Sequence, residues 1–289
     1  MVYDCFIFFN ELDLLEIRLH TMNEAVDKFV LVEATRTFQG NPKPLHYLEN
    51  RKRFALFESK IIHVIVDSYP SFFSRWRKPN AWDIEDHQRN QISRGLAKCD
   101  PDDSVILSDL DEIPKPGQVK AYANQAGITV FRQMNFYYFL NCQCVNDSEK
   151  WWYGSVMSHV KDFKEPKDLR SISKRMNADH MRILKDRFHR AIRSLINPIY
   201  RHDITIVEDG GWHFGFLGGA DKIIEKLEAF AHTEYNKEEF KNKSAVLDAI
   251  NNGKDLFGRE FEYSFIDLDD SFPPYVIKNK ERFKHLIKS

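Results

Sequence analysis

Val105-Ile106-Leu107-Ser108-Asp109-Leu110-Asp111-Glu112-Ile113-Pro114 is the stretch on which the fold turns. Three β-favouring apolar residues run into Ser108, two carboxylates follow one residue apart, and a proline closes the stretch. Val, Ile and Leu suit a buried pleated surface, and Pro cannot donate to a strand ladder. A strand is therefore expected to end near Ser108, with Pro114 stopping it and the acids at its carboxyl edge. In an open α/β sheet that edge is where ligands bind. Residues two apart in extended backbone point the same way, so Asp109 and Asp111 are expected to converge on one object. Carboxylates that close repel, and a hard divalent cation carrying substrate phosphates is their usual partner. Paired acids also occur solvated in turns or capping a helix. The apolar run before this pair and the proline after it favour the strand end.

Upstream, residues 3–9 and 29–34 read as buried strands, nearly continuous apolar runs of the kind parallel sheets show. A helix is expected after the polar turn Asn10-Glu11, an amphipathic helix over 45–57, and a third strand over 61–66. An irregular aromatic-basic loop follows at 71–80, then a long helix over 82–99 closed by Asp100-Pro101. Downstream, a helix over 115–124 precedes strands at 129–131 and 136–140. Strands alternating with helices imply a mixed or parallel sheet with helices on both faces. There is no Gly-rich dinucleotide fingerprint and no Gly-Lys-Ser/Thr phosphate loop, so a nucleotide would be held by acids and a metal. The second half reads as a strand at 204–207, a glycine-hinged polar loop at 208–214, helices at 221–231 and 238–251, and a surface tail from Phe272.

The chain has 289 residues, suiting one α/β domain over 1–289, with a nucleotide-binding half (1–145) and an acceptor half (146–289). Formal charge is -1, which gives no general case for nucleic acid. Between residues 161 and 202, however, twelve Lys/Arg face five acids, a local excess suited to a diphosphate or a phospholipid surface, or to a solvated helical face. Cys5, Cys99, Cys142 and Cys144 are too few for a disulfide framework, and Cys142-x-Cys144 is too tight for a zinc knuckle. They read as reduced thiols. The N-terminus lacks the basic region and cleavage site of a secretory leader, and no apolar run is long enough to span a bilayer. A cytoplasmic protein, peripheral at a membrane if its substrate is lipid-linked, is expected.

The second part of a site is expected around His213, which follows a strand and lies between Trp212 and Phe214, close to Glu208, Asp209, Gly210 and Gly211. Imidazole is a common metal donor, and glycines permit close approach or loop closure. A sugar hydroxyl attacking an anomeric carbon needs a base and a neutralised leaving group. Asp209 or Glu208 is the candidate base. Trp151 and Trp152, with Trp212 beside the histidine, are candidates for stacking on an acceptor sugar, and equally for core packing.

The opening run from Tyr3 to Leu19 resembles the start of the glycosyltransferase family 17 domain. Val32-Glu33-Ala34-Thr35 with Phe38 and Gly40, then Gln88-Arg89-Asn90-Gln91-Ile92, Ser108 to Pro114, and Gly211-Trp212-His213-Phe214 resemble its later blocks in the same order. That resemblance implies a GT-A-type nucleotide-sugar fold and inverting transfer from a UDP-sugar, such as UDP-N-acetylglucosamine, to a saccharide or lipid-linked saccharide. It implies Mn²⁺ (or Mg²⁺) on Asp109, Asp111 and His213. It makes Asn10, Glu11, Glu33, Arg89 and Asp109 candidates for holding the nucleotide sugar. Two rivals stand beside it: a non-catalytic nucleotide-sugar binder of the same fold, and a haloacid-dehalogenase-type phosphotransferase. The second wants Thr or Ser where Ile113 stands.

Overall fold

Strands β1 (Val2–Phe8), β2 (Lys28–Ala34), β3 (Ile61–Val66) and β4 (Ser104–Asp109) pair in parallel in the order β3-β2-β1-β4. The computed structural model describes residues 1–69, 79–147, 149–178 and 197–288. Most of the 71–80 loop and the middle of the basic segment, 179–196, lie outside those residues. The two-residue alternation of strand side chains builds two cores. Phe6, Phe29, Leu31 and Ile106 face one, with Leu15 and Leu19 of the helix Leu12–Met22. Cys5, Val30, Val32, Val105 and Leu107 face the other, with Leu169, Ile172 and Met176 of the helix Pro166–Ala178. With both faces covered, the strands carry the unbroken apolar runs that made them legible.

The chain moves from β1 outward to β2 and β3, then returns to place β4 on the opposite side of β1. Strand order therefore reverses between β1 and β4, and such a switch point leaves a crevice at the carboxyl ends. Beyond β4 the sheet continues through antiparallel β8 (Trp151–His159) into β6 (Ile128–Tyr137), which also pairs in parallel with β9 (Ile204–Gly215). The short strands β5 (Glu112–Pro114), β7 (Cys142–Cys144) and β10 (Tyr263–Phe265) complete a ten-stranded sheet. It is the α/β sheet flanked by helices that the sequence implied: mixed, mostly parallel and curled.

Several elements depart from expectation. β4 ends at Asp109, and Pro114 is instead the last residue of a separate short strand, β5, which pairs with β9 (Pro114 opposite Gly211). The stretch 208–214 is not a hinged loop but the interior of β9. Its glycines allow close packing: a Cβ on Gly211 would meet the Ile113 carbonyl oxygen at 2.2 Å, and one on Gly210 would meet the Phe131 Cβ at 2.9 Å. The two strands expected at 129–131 and 136–140 are one strand, β6, irregular between Val130 and Arg132. The helix expected over 82–99 starts on an Asn80/Asp83 capping box and gives way after Asn90 to a separate turn, Ile92–Gly95. The Gln91 N–H is shared there between the His87 and Gln88 carbonyls, which tightens the turn. The helix expected over 238–251 is split at Asn242, whose side chain caps a new start by accepting from the N–H groups of Ser244 and Ala245. The 45–57 helix is a short turn, His46–Glu49, followed by a 3-10 segment, Arg51–Phe57. The tail is not a surface wrap: Phe272, Val276, Phe283 and Leu286 are buried in the core beneath β1.

Three cysteines are buried and Cys99 is partly so, all as free thiols. No helix among the described residues is long and apolar enough to cross a membrane.

Candidate active site

The acids meet at the switch point, with Asn10 and Glu11 following β1 and Asp109 and Asp111 ending and following β4. A buried arginine shapes this turn. Arg18, on the helix Leu12–Met22, donates from Nη1 to the carbonyls of Asp109 (3.0 Å), Leu110 (3.1 Å) and Glu112 (2.8 Å). Its other nitrogens bind Asp4 and the Ser108 hydroxyl, and its side chain has no solvent exposure. Three carbonyls drawn to one guanidinium bend the chain at Leu110-Asp111. The spacing in an extended strand is lost there, and the two carboxylates do not converge as their sequence implied.

Asp109 turns to two arginines. Its Oδ1 accepts from Arg89 (2.9 Å) and its Oδ2 from Arg170 (2.8 Å). Arg170, 3% exposed, also donates to Glu112 (2.6 Å), the Gly154 carbonyl (2.8 Å) and the Ser173 hydroxyl (2.7 Å). Arg89 and Lys174 share Glu85 at 2.7 and 2.6 Å. Burial opposes the charge on Asp109, but Arg170 and Arg89 outweigh it and hold its pKa well below the ordinary carboxylate range. Burial likewise opposes the Glu85 charge, and Lys174 and Arg89 lower its pKa. Part of the basic excess at 161–202 is thus directed inward.

Asp111 turns the other way. Its Oδ2 accepts from Lys226 at 2.9 Å, and the same ammonium lies 3.6 Å from Glu11. His213 approaches from β9, opposite Glu112 across the β5–β9 ladder, and the Phe214 N–H bonds the Asp111 carbonyl at 2.8 Å. The His213 ring stacks on Trp152 (centroids 4.8 Å apart), whose indole N–H donates to Glu112 at 2.8 Å. The tautomer follows from its neighbours. The amide of Asn135 donates to the Glu149 carbonyl, which turns its Oδ1 onto His213 Nδ1 at 3.0 Å. Nδ1 must then carry the proton, leaving the lone pair on Nε2. Burial lowers the His213 pKa, so the ring is neutral near pH 7.

Both Asp109 oxygens accept from arginines, while its side chain stays 37% exposed. Among the described residues no group of three or more His, Cys, Asp and Glu side chains is placed to hold a metal. Asp111 and His213 do fit as a pair, because a neutral imidazole whose other nitrogen is fixed by an amide oxygen is the arrangement a metal-binding histidine uses. The remaining coordination would fall to a substrate's phosphates and water.

The other expected site residues scatter. Glu33 is fully buried and accepts from the Tyr47 and Leu48 N–H groups and from His63, so it starts the short helix at His46 and faces no ligand. Arg89 is 1% exposed and bonds Glu85 and Asp109 through Nη2, while its buried Nε and Nη1 have no hydrogen-bond partner among the described residues. Asp209, with a left-handed φ of 48°, pairs with Lys115, and Glu208 pairs with Arg132. Both are exposed, beyond the Pro114 end of the ladder whose other end carries His213. Asp209 lies four positions before His213, in the part of β9 where its register with β6 shifts between Phe131 and Gln133. Trp152 belongs to the inner wall, Trp212 is buried with its N–H on the Ser271 carbonyl, and Trp151 lies against Arg132.

Arg18, Glu85, Glu112, Asn135, Arg170 and Lys226 are the residues that sequence reasoning missed. Arg18 left a signal: it stands between Ile17 and Leu19, both fully buried. Glu85 and Arg89 are four apart on one helix, a pattern equally common on solvated faces.

Residues 1–179 match the model of Glycosyltransferase family 17, and the chain belongs to that family. Curated relatives include the β-1,4-mannosyl-glycoprotein 4-β-N-acetylglucosaminyltransferases of Rattus norvegicus (23% identical, over 97% of this chain) and Homo sapiens (24%, over 96%). In each the match takes in 53% of the relative, so the chain spans about half the length of the curated relatives it matches. Among solved structures, M. tuberculosis glucosyl-3-phosphoglycerate synthase aligns with a TM-score of 0.37 at 12% identity, over 96% of this chain and 92% of that one.

Proposed function

We propose that the chain transfers a sugar, N-acetylglucosamine by analogy with its relatives, from a UDP-sugar to a free or lipid-linked saccharide with inversion. We propose further that it uses Mn²⁺ or Mg²⁺. The observation that carries this reading is a His213 ring fixed through Nδ1 by Asn135, beside Phe214, whose N–H bonds the Asp111 carbonyl at 2.8 Å, at the switch point of the sheet. The cation bound there would neutralise charge on the departing diphosphate. Asp111 and His213 hold it, while Asp109, Arg89, Arg170 and Glu112 form the rigid wall that fixes their turn. Asn10 and Glu11, at the end of β1, face the nucleotide sugar. Inversion needs a base for the acceptor hydroxyl. Glu11, beside Asp111 through Lys226, suits that role better than Asp209 or Glu208. The sheet running through both halves supports reading 1–289 as one transferase domain.

The test is UDP-N-acetylglucosamine turnover with Mn²⁺, with and without saccharide acceptors. Asp111→Asn abolishes turnover while Tm stays within about 2 °C of wild type. Wild-type turnover in that variant overturns the assignment. Binding of UDP-N-acetylglucosamine and Mn²⁺ without hydrolysis or transfer marks a non-catalytic binder instead.

A further inference from the structure

Two kinds of cation neutralise the acids of this site. Arg89 and Arg170 are buried and tied into a network, Arg170 by a backbone carbonyl and a hydroxyl as well as by carboxylates. Lys226 differs. Its ammonium bonds Asp111 (2.9 Å), with Glu11 at 3.6 Å and the Phe216 ring at 5.4 Å, and it bonds no backbone carbonyl among the described residues. Its side chain is 23% exposed, on the helix Gly219–Ala229. It is a point charge on a flexible stem, held by charge alone.

A divalent ion bound to Asp111 would lie within a few ångströms of this ammonium, and the two repel. They compete for the carboxylate. We propose that Lys226 is a built-in substitute for the divalent cation, neutralising Asp111 and Glu11 while the site is empty and leaving Asp111 when a cation arrives with a nucleoside diphosphate. The diphosphate offers the displaced ammonium a new anionic partner. Cation and nucleotide therefore bind as a coupled pair, each tightening the other by the same factor. The bare cation binds poorly, and release of UDP resets the site without leaving Asp111 and Glu11 unpaired. The proposal rests on reading Asp111 and His213 as cation ligands.

The experiment measures Mn²⁺ binding to the purified chain, by electron paramagnetic resonance of free Mn²⁺, with and without UDP. Lys226→Met and Lys226→Gln remove the charge, and Lys226→Arg keeps it. Without UDP, both neutral variants are expected to bind Mn²⁺ at least tenfold more tightly than wild type, and Lys226→Arg to match wild type. UDP is expected to tighten Mn²⁺ binding strongly in wild type and much less in the neutral variants. The Gln variant keeps a hydrogen bond to Asp111 and carries the measurement if the Met variant folds poorly. Equal Mn²⁺ affinity in wild type and the neutral variants, with Asp111→Asn abolishing binding, overturns the role of Lys226 and leaves the cation site standing. If Asp111→Asn binds Mn²⁺ as wild type does, the cation site itself is refuted and the role of Lys226 with it.

Discussion

Replacing Arg170 with Met removes the cation from a pair of carboxylates and keeps most of the side-chain volume. Glu112, 1% exposed, then keeps hydrogen bonds from the Trp152 indole and the Asp109 N–H but loses its 2.6 Å ion pair. Removing one partner of a buried pair costs about 3–5 kcal/mol, because the other charge is left uncompensated. At about 2–4 °C per kcal/mol for a chain of this size, Tm falls by roughly 6–20 °C. The loss depends on pH in a definite direction. Burial opposes the Asp109 charge, but Arg170, with Arg89, holds its carboxyl well below the ordinary range. A depressed carboxyl contributes stability that is present above its unfolded value of about 3.9 and is lost as pH falls through the folded one. The Tm gap between wild type and Arg170→Met, followed by differential scanning calorimetry, is therefore wide at about pH 7 and narrower at about pH 3. Arg170→Met/Glu112→Gln recovers part of the loss at the higher pH. A gap below about 2 °C at the higher pH, or one that does not change with pH, refutes the reasoning.

Gly211→Ala drives a Cβ to 2.2 Å from the Ile113 carbonyl oxygen and 2.7 Å from the Pro114 Cα, both backbone atoms that cannot step aside. It costs about 1–3 kcal/mol in urea unfolding and reduces turnover further than that loss explains, since β9 carries His213. Burial opposes the Glu16 charge, but hydrogen bonds from Tyr275 and Arg53, with the charges of Arg53 and Arg282, lower its pKa. Glu16→Gln therefore destabilises by about 2 kcal/mol at about pH 6, a gap that closes as pH falls below the unfolded carboxyl value of about 4.3 and through the depressed folded one. Phe283→Ala, at a fully buried position, costs about 3–5 kcal/mol, where an exposed tail residue would cost almost nothing.

The four parallel strands were legible because both their faces are buried, so Phe29-Val30-Leu31-Val32 needs no polar alternation. β5 and the second half of β9 were not, because Pro114, Gly210 and Gly211 oppose strand propensity. They are extended only through pairing with each other and with β6, a tertiary effect that no local window holds. In the site, Asp111 and His213 were visible as residue types that bind metals, at strand ends. Their neutralisation was not. Arg18, Arg170 and Lys226 arrive from helices, where a basic residue reads the same whether it meets solvent or a carboxylate fixed by distant sequence. The spacing of Asp109 and Asp111 misled for the same reason: Arg18 gathers three carbonyls and undoes the extended geometry the spacing assumed.

The docking of the tail has a consequence for how the chain reaches this structure. Tyr275, Arg282 and His285 bond Glu16 and Asp13 across 259, 266 and 272 positions, and Phe283 and Leu286 fill the layer beneath β1. A ribosome delivering residues in order exposes the apolar underside of the first helix until residue 286 emerges. Contacts this remote in sequence make for slow closure. Until residues 275–286 have been made the first helix lacks its cover, and that is the interval in which the nascent protein most needs a chaperone.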